Sequence, residues 1–238
     1  MTDSDINLAR VHVAILAGAW LLATILVMMA VSIAPTIAPS PITAEYLGNL
    51  QGAWAWYLAS YTLFFVTDCA IAMLGVTLCV WLKPASTLVA GMIVILFAVA
   101  GLLGLLSDIQ MLAAAQAFRN GSPLLSPEAA PAFLAGLTDT YNWLSAGSFF
   151  PPGIALFLLC GPAREAEVSR SWIDLTFVLA LYQIAIGILS IVSFLVQDSV
   201  VIEISALSTG IGLPVLSIPW LVWMLSEMSN STPPPLRR

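Results

Sequence analysis

Residues 87–112 read TLVAGMIVILFAVAGLLGLLSDIQML. No charged side chain occurs from Thr87 to Ser107, and the apolar residues form a continuous run rather than the alternation of a half-buried strand. About 20 apolar residues in an α-helix cross about 30 Å of hydrocarbon. Backbone groups in hydrocarbon need partners within the segment, so this stretch reads as a transmembrane helix. Its first charge is Asp108, an acid near the end of an otherwise neutral span.

Outward from this stretch the same reading repeats. Helices are expected at 11–34, 57–82, 86–117, 132–160, 173–196 and 200–226. The fold class is therefore all-α: a polytopic bundle of six transmembrane helices in a single integral membrane domain, 1–238. The third and fourth spans exceed the bilayer thickness, so tilt, kinks or extension beyond the membrane are expected. The first span is expected to be a retained helix and not a cleaved signal, because Asp3 and Asp5 spoil a basic leader. Residues 227–238, with three consecutive prolines from Pro233, read as a disordered tail.

Composition narrows the partners. Charged residues make up 8% of the 238-residue chain and hydrophobic ones 60%, with a mean hydropathy of +0.99. Soluble domains carry about 25% charged residues, so the bilayer itself is the expected solvent. A net charge of −6 without clustered Lys and Arg excludes nucleic acid as a partner. Six of the seven basic residues (Arg10, Lys83, Arg164, Arg170, Arg237 and Arg238) fall in segments on one side of a six-span topology, and only Arg119 falls on the other. The positive-inside rule then places both termini inside, N-in/C-in. Trp54, Trp56, Tyr57 and Tyr61 near an outer boundary, and Trp81, Trp172, Trp220 and Trp223 near inner ones, read as interfacial aromatic anchors.

Loop chemistry marks the connections. Pro35, Pro39 and Pro41 stop the first helix, and Gly48 and Gly52 outside a span read as turn residues. Asn120-Gly121-Ser122-Pro123 is a turn cluster, and Ser126-Pro127 reads as an N-cap with a first helical proline. Ser171, three residues before Asp174, makes Asp174 a capping acid for helix five. Pro151-Pro152-Gly153 is expected to break helix four, and Gly210, Gly212, Pro214 and Pro219 to loosen helix six.

Polar residues inside the spans are the candidate sites. Asp68 interrupts helix two near its middle, where a carboxylate costs roughly 2.5–3.5 kcal/mol. It shares a stripe with Ala72, Gly75 and Cys79, and helix three answers with Gly101, Gly104 and Asp108. Small stripes let helix backbones approach closely in lipid, where packing replaces the hydrophobic drive. Helices two and three should therefore form a close antiparallel pair. Counting from the Lys83–Ser86 turn, Gly101 lies level with Asp68 and Asp108 level with Tyr61, about 10 Å further outward at about 1.5 Å per residue. Asp139 enters from the same side, so three acids populate the outer half, with Gln110, Tyr141, Asn142, Asp198 and Glu203 near its rim. Gln183, Gly187 and Ser190 share one face of helix five, and Ser205, Ser208 and Gly212 one face of helix six, both read as interhelical glue.

Richer chemistries find no footing in these residues. His12 is the one histidine, read as a packing residue at the inner boundary, and it cannot make a bis-histidine haem site. No HExxH, GxSxG, P-loop or dinucleotide-binding pattern occurs in a fitting context. Cys69, Cys79 and Cys160 show no CxxC spacing and read as buried inert thiols. The surroundings of Asp68 and Asp108 lack the glycine-bearing signature of intramembrane aspartyl proteases. No catalytic residue, metal site or cofactor is expected.

The first span, the segment Glu45–Leu50, the polar break Thr67-Asp68 and the basic inner loop Gly161–Trp172 together resemble a family of uncharacterised bacterial six-helix membrane proteins, a domain of unknown function. The resemblance implies a prokaryotic plasma-membrane location and carries no site residue. Two function classes follow. One is a non-enzymatic membrane subunit packing in lipid against a membrane-protein partner or a second copy. The alternative is a small proton- or cation-coupled transporter or channel using Asp68, Asp108 and Asp139, with Asp68 expected as a neutral, hydrogen-bonded acid.

Overall fold

The computed structural model describes residues 3–35, 42–126, 128–196 and 199–230. It is an all-α bundle: α1 (Asp3–Ile33), α2 (Ala44–Leu82), α3 (Thr87–Arg119), a 3₁₀ turn (Pro123–Leu125), α4 (Ala130–Glu165), α5 (Arg170–Val196), α6 (Ser199–Leu207), a π-helical turn (Ser208–Gly212) and α7 (Leu213–Asn230). Six helices, with α6 and α7 forming one span, are long and apolar enough to cross a bilayer, so the chain is a multi-pass membrane protein. Consecutive helices pack on one another, and α7 returns to α1 to close the ring. The face holding Asp3, the Lys83–Ser86 turn and Asn230 is termed the termini face, and the opposite one the distal face.

Most spans start or end beyond the expected bounds, for local physical reasons. α2 begins at Ala44, well before 57, because Thr43 caps it: its Oγ1 accepts from Tyr46 N at 3.1 Å. Its extra turns carry Tyr46, Leu50, Ala53 and Tyr57, a helical stripe buried against α1, α3 and α4. Gly48 and Gly52 are thus helical, not turn residues, and a Cβ at either would meet open space. α7 runs to Asn230, with Met228 fully buried and Ser169 donating to Glu227. The first four residues of the expected tail therefore belong to the last helix, while 231–238 lie outside the described residues.

Prolines act differently in the two places where a break was expected. α4 continues unbroken from Ala130 to Glu165 through Pro151 and Pro152. Unravelling would expose further backbone groups to hydrocarbon, and neighbouring helices support the chain there. Gly153 lets α5 approach, since a Cβ at this position would lie 2.8 Å from Ile184 Cγ1 and 3.1 Å from Ala180 O. The last span does loosen, into the π turn between α6 and α7. Tyr182 donates to Ser208 O at 2.9 Å, and its hydroxyl fills the space where a Cβ of Gly212 would stand.

Capping and aromatic roles also shift. α5 starts at Arg170, with Ser169 O accepting from Trp172 N and Ile173 N. Asp174 consequently sits a turn inside and pairs with exposed Arg170 at 3.9 Å instead of capping the helix. Ser126 caps the turn before α4, its Oγ accepting from Ala129 N at 3.3 Å, and Pro127 lies outside the described residues. Trp81, Trp172 and Trp220 are buried inside the bundle, Trp172 stacking on Trp220 and meeting Trp81 edge to face, so they are core residues and not an interfacial belt. Trp220 Nε1 donates to Thr176 Oγ1 at 2.8 Å. Tyr57 and Tyr61 are buried likewise. Tyr57 and Tyr46 donate to Ala34 O and Pro35 O, satisfying carbonyls at the end of α1 that would otherwise lack partners.

His12 joins α1 to α2. Its Nε2 is 3.0 Å from Ala70 O and its Nδ1 2.7 Å from Thr77 Oγ1. A carbonyl only accepts, so Nε2 carries the hydrogen, and Nδ1 of the neutral ring accepts from the threonine. Cys69 is exposed, unlike the buried thiol expected, while Cys79 Sγ reaches Ala90 O at 3.6 Å across the α2–α3 contact.

That contact is the closest in the bundle's candidate region. A Cβ on Gly75 would stand 2.7 Å from Val94 Cα, and one on Gly101 would stand 2.5 Å from Asp68 O and 2.6 Å from Ala72 N. These are backbone atoms and cannot swing aside. Gly101→Ala should therefore lower stability by about 1–3 kcal/mol through overpacking. Gly91→Ala, in open space on the same helix, should leave stability unchanged or raise it by about 0.5–1 kcal/mol. Thermal unfolding in detergent distinguishes the two; equal melting points would show that α2 and α3 do not touch at Gly101.

Candidate functional site: a carboxyl pair between neighbouring helices

Asp68 and Asp108 meet across the α2–α3 contact. Their carboxyls lie within hydrogen-bonding reach of each other. The seven-residue offset read from the sequence is real along the helix axes, yet the side chains close it. In an α-helix each Cα–Cβ bond tilts towards the N-terminus. Because α2 starts at the distal face, Asp68 leans distally; α3 starts at the termini face, so Asp108 leans back towards it. The two acids thus reach towards one another over the space left by Gly104. A Cβ at Gly104 would collide with the Asp68 carboxyl. Glycine there serves as the seat of the acid.

The surroundings are apolar and aromatic. Asp108 is buried, and Asp68 half-buried. Asp108 Oδ2 is buried with no hydrogen-bond partner among the described residues. Ionised carboxyls only accept, so a hydrogen bond between these two requires a proton carried by one of them. Basic partners are remote: Lys83 lies about 22 Å along α2 from Asp68, at about 1.5 Å per residue. Arg119 sits at the distal end of α3, its guanidinium 4.9 Å from the Trp54 ring centroid.

Two tyrosines complete the cluster. Tyr61 on α2 and Tyr141 on α4 pack with their rings edge to face at 6.2 Å. Tyr57 stacks on Tyr61 at 6.4 Å, Phe64 tilts against Tyr61 at 5.8 Å, and Phe118 meets Tyr57 edge-on at 6.1 Å. An aromatic layer therefore covers the acids on the distal side.

The remaining candidates lie elsewhere. Asp139 is exposed on α4 and does not join the pair, so the sequence's three-acid group becomes two acids and one outward-facing carboxyl. Gln183 is buried on α5 with its Oε1 unpartnered, and no hydrogen bond joins it to either acid among the described residues. Gly187 on the same face packs under the Phe150 ring, 3.0 Å from a Cβ placed there, so it faces α4 and not the last span. Ser190 does reach that span, its Oγ 3.2 Å from Ser205 Oγ. Glu203 is exposed; Asp198 and the Asn142 side chain lie outside the described residues. Sequence spacing pointed to the Asp68 and Asp108 helix faces but missed that the acids touch. The signal was present in the opposite directions of α2 and α3.

No group of three or more His, Cys, Asp or Glu side chains suited to a metal ion occurs among the described residues. No family model, curated protein or solved structure matches the chain.

The pair sets a stability prediction. Asp68→Asn should fold with near wild-type stability, because the amide supplies a donor to Asp108 in the same space. Asp68→Leu should cost about 1–3 kcal/mol by leaving the Asp108 carboxyl buried without its partner. Equal unfolding temperatures for the Asn and Leu proteins would show that the two carboxyls do not interact.

Proposed function

We propose that the protein is a non-enzymatic multi-pass membrane protein whose Asp68–Asp108 pair binds and releases one proton, as the coupling centre of a small proton- or cation-coupled transporter or channel. The observation that carries this reading is the approach of two carboxyls, one of them buried, with glycine cleared beneath them and no Lys or Arg beside them among the described residues. A proton between the acids leaves the pair with one negative charge; losing it places two like charges side by side in low dielectric. The pair thus changes its charge, and with it the helix contact, whenever a proton enters or leaves. A clamp serving structure alone would be better made from Asn or Ser, which carry donor and acceptor without a charge to bury. Ionisable groups inside the membrane are characteristic of proton and ion pathways.

A second reading, a membrane subunit packing against a partner or a second copy, rests on its own observation. Asp139, Thr140 and Trp143 are all exposed on α4, offering a polar and aromatic edge near the distal end. In this reading the chain resides in a prokaryotic plasma membrane with both termini cytoplasmic, an orientation supported by the placement of the basic residues.

Two experiments follow. In proteoliposomes enclosing a pH-sensitive dye, an external acid pulse should drive faster proton entry with the wild type than in empty vesicles. Asp68→Asn and Asp108→Asn should bring the rate down to that of empty vesicles while remaining folded. Wild-type rates in both would remove the pair from the pathway. For orientation, single cysteines introduced at Arg164 and Gly121 in a background lacking Cys69, Cys79 and Cys160 should label from opposite sides, Gly121 from outside. Labelling of the Arg164 position by an impermeant reagent in intact cells would reverse the assignment.

A further inference from the structure

Where α4 ends and α5 begins, the chain turns at the termini face through residues 166–169. A cavity of about 420 Å³ opens at this turn, lined by Arg164, Val168, Arg170, Ile173 and Asp174. Its volume falls within the roughly 300–1,000 Å³ of small-ligand pockets. Arg164 stands in the last turn of α4, and Arg170 is the first residue of α5. The short connection therefore brings two arginines to one cavity. With Asp174 as the one acid of the lining, the cavity carries one net positive charge.

That charge is poorly used within the chain. Arg170 Nε stands 3.9 Å from Asp174 Oδ2, with the two side chains 94% and 69% exposed. The distance is too long for a hydrogen bond, and water weakens so exposed a pair. Arg164 is exposed and forms no ion pair among the described residues. Glu165 and Glu167, the neighbouring acids, are exposed and lie outside the lining. The rest of the wall is apolar: Ile173 is buried in the core, and Val168 packs against that core. Arg164 and Arg170 also mark the ends of two neighbouring spans, Ala130–Glu165 and Arg170–Val196. The cavity thus sets guanidinium groups beside apolar side chains at the boundary between lipid and water.

We propose that this cavity binds the phosphodiester of an anionic phospholipid headgroup, with Arg164 and Arg170 holding the phosphate and Val168 and Ile173 lying along the base of the acyl chains. A guanidinium presents its N–H groups as a planar fork that matches two phosphate oxygens at once. A soluble anion would use the charge alone, whereas a phospholipid uses the charge and the apolar wall together. Basic pockets between membrane helices are a recurrent seat for lipid headgroups. The net positive charge of the lining favours a headgroup with one net negative charge over a zwitterionic one. The site is separate from the Asp68–Asp108 pair and independent of the reading of that pair.

The test uses the full chain purified in a neutral detergent and mixed with equal amounts of phosphatidylglycerol and phosphatidylcholine, with the lipid retained on the protein counted by native mass spectrometry. The wild type should retain phosphatidylglycerol in preference to phosphatidylcholine. Both arginines are exposed, so glutamine at either position does not disturb the core. Arg164→Gln and Arg170→Gln should each weaken phosphatidylglycerol binding by about tenfold, the order lost with one charge-assisted hydrogen-bonding partner. Arg119→Gln, at the distal end of α3, should bind it as the wild type does. Equal retention of the two lipids by the wild type would overturn the site, as would unchanged phosphatidylglycerol affinity in either the Arg164 or the Arg170 variant. Displacement of phosphatidylglycerol by an equal concentration of inorganic phosphate would overturn it too, by showing a site for a soluble anion instead of a lipid.

Discussion

Backbone contact between α2 and α3 is the constraint on which the candidate site depends. Lipid offers helices no hydrophobic drive to associate, so close packing must supply the attraction. Gly75 and Gly101 remove the side chains that would hold the backbones apart, bringing Val94 Cα and Asp68 O to distances where a methyl group does not fit. Gly104 extends the same groove by one turn, and the Asp68 carboxyl fills it. The acid is therefore held by the packing that surrounds it. Asp108, reaching back from the next turn of α3, meets it there.

The rest of the bundle encloses this contact from both ends. Towards the termini face, α1, α2, α3, α4, α5 and α7 share one apolar core, with Trp81, Trp172 and Trp220 in ring contact within it. Towards the distal face, a second core joins the end of α1 to α2, α3 and α4, and its tyrosines close off the carbonyls at the end of α1. The carboxyls lie between these layers. His12, bridging Ala70 and Thr77, fixes α1 against the same helix that carries Asp68.

Much of the architecture was legible in the chain. Long uncharged runs gave six spans, and the spacing of Asp68, Ala72 and Gly75 against Gly101, Gly104 and Asp108 named the faces that meet. Depth counting from the Lys83–Ser86 turn set Gly101 level with Asp68, where the structure has them in contact. What escaped were features that depend on three-dimensional direction or on a partner. The opposed lean of Asp68 and Asp108 is invisible to a count of axial rise. Gly48 and Gly52 looked like turn residues because their helix exists only through the buried stripe of Tyr46, Leu50, Ala53 and Tyr57. The prolines of α4 suggested a break, but hydrocarbon penalises the unravelled alternative more heavily than the missing hydrogen bonds. Tryptophans near helix ends looked like belt residues until tertiary packing turned three of them inward.

The central claim is that Asp68 and Asp108 hold a single proton between them. Infrared difference spectra of the reconstituted protein at neutral pH, wild type minus Asp68→Asn and wild type minus Asp108→Asn, test it most directly. The account predicts one protonated-carboxyl band in the wild type, and loss of that same band in either variant, because an amide can then donate to an ionised partner. Absence of the band in the wild type, or two bands of which each variant removes only its own, would contradict it.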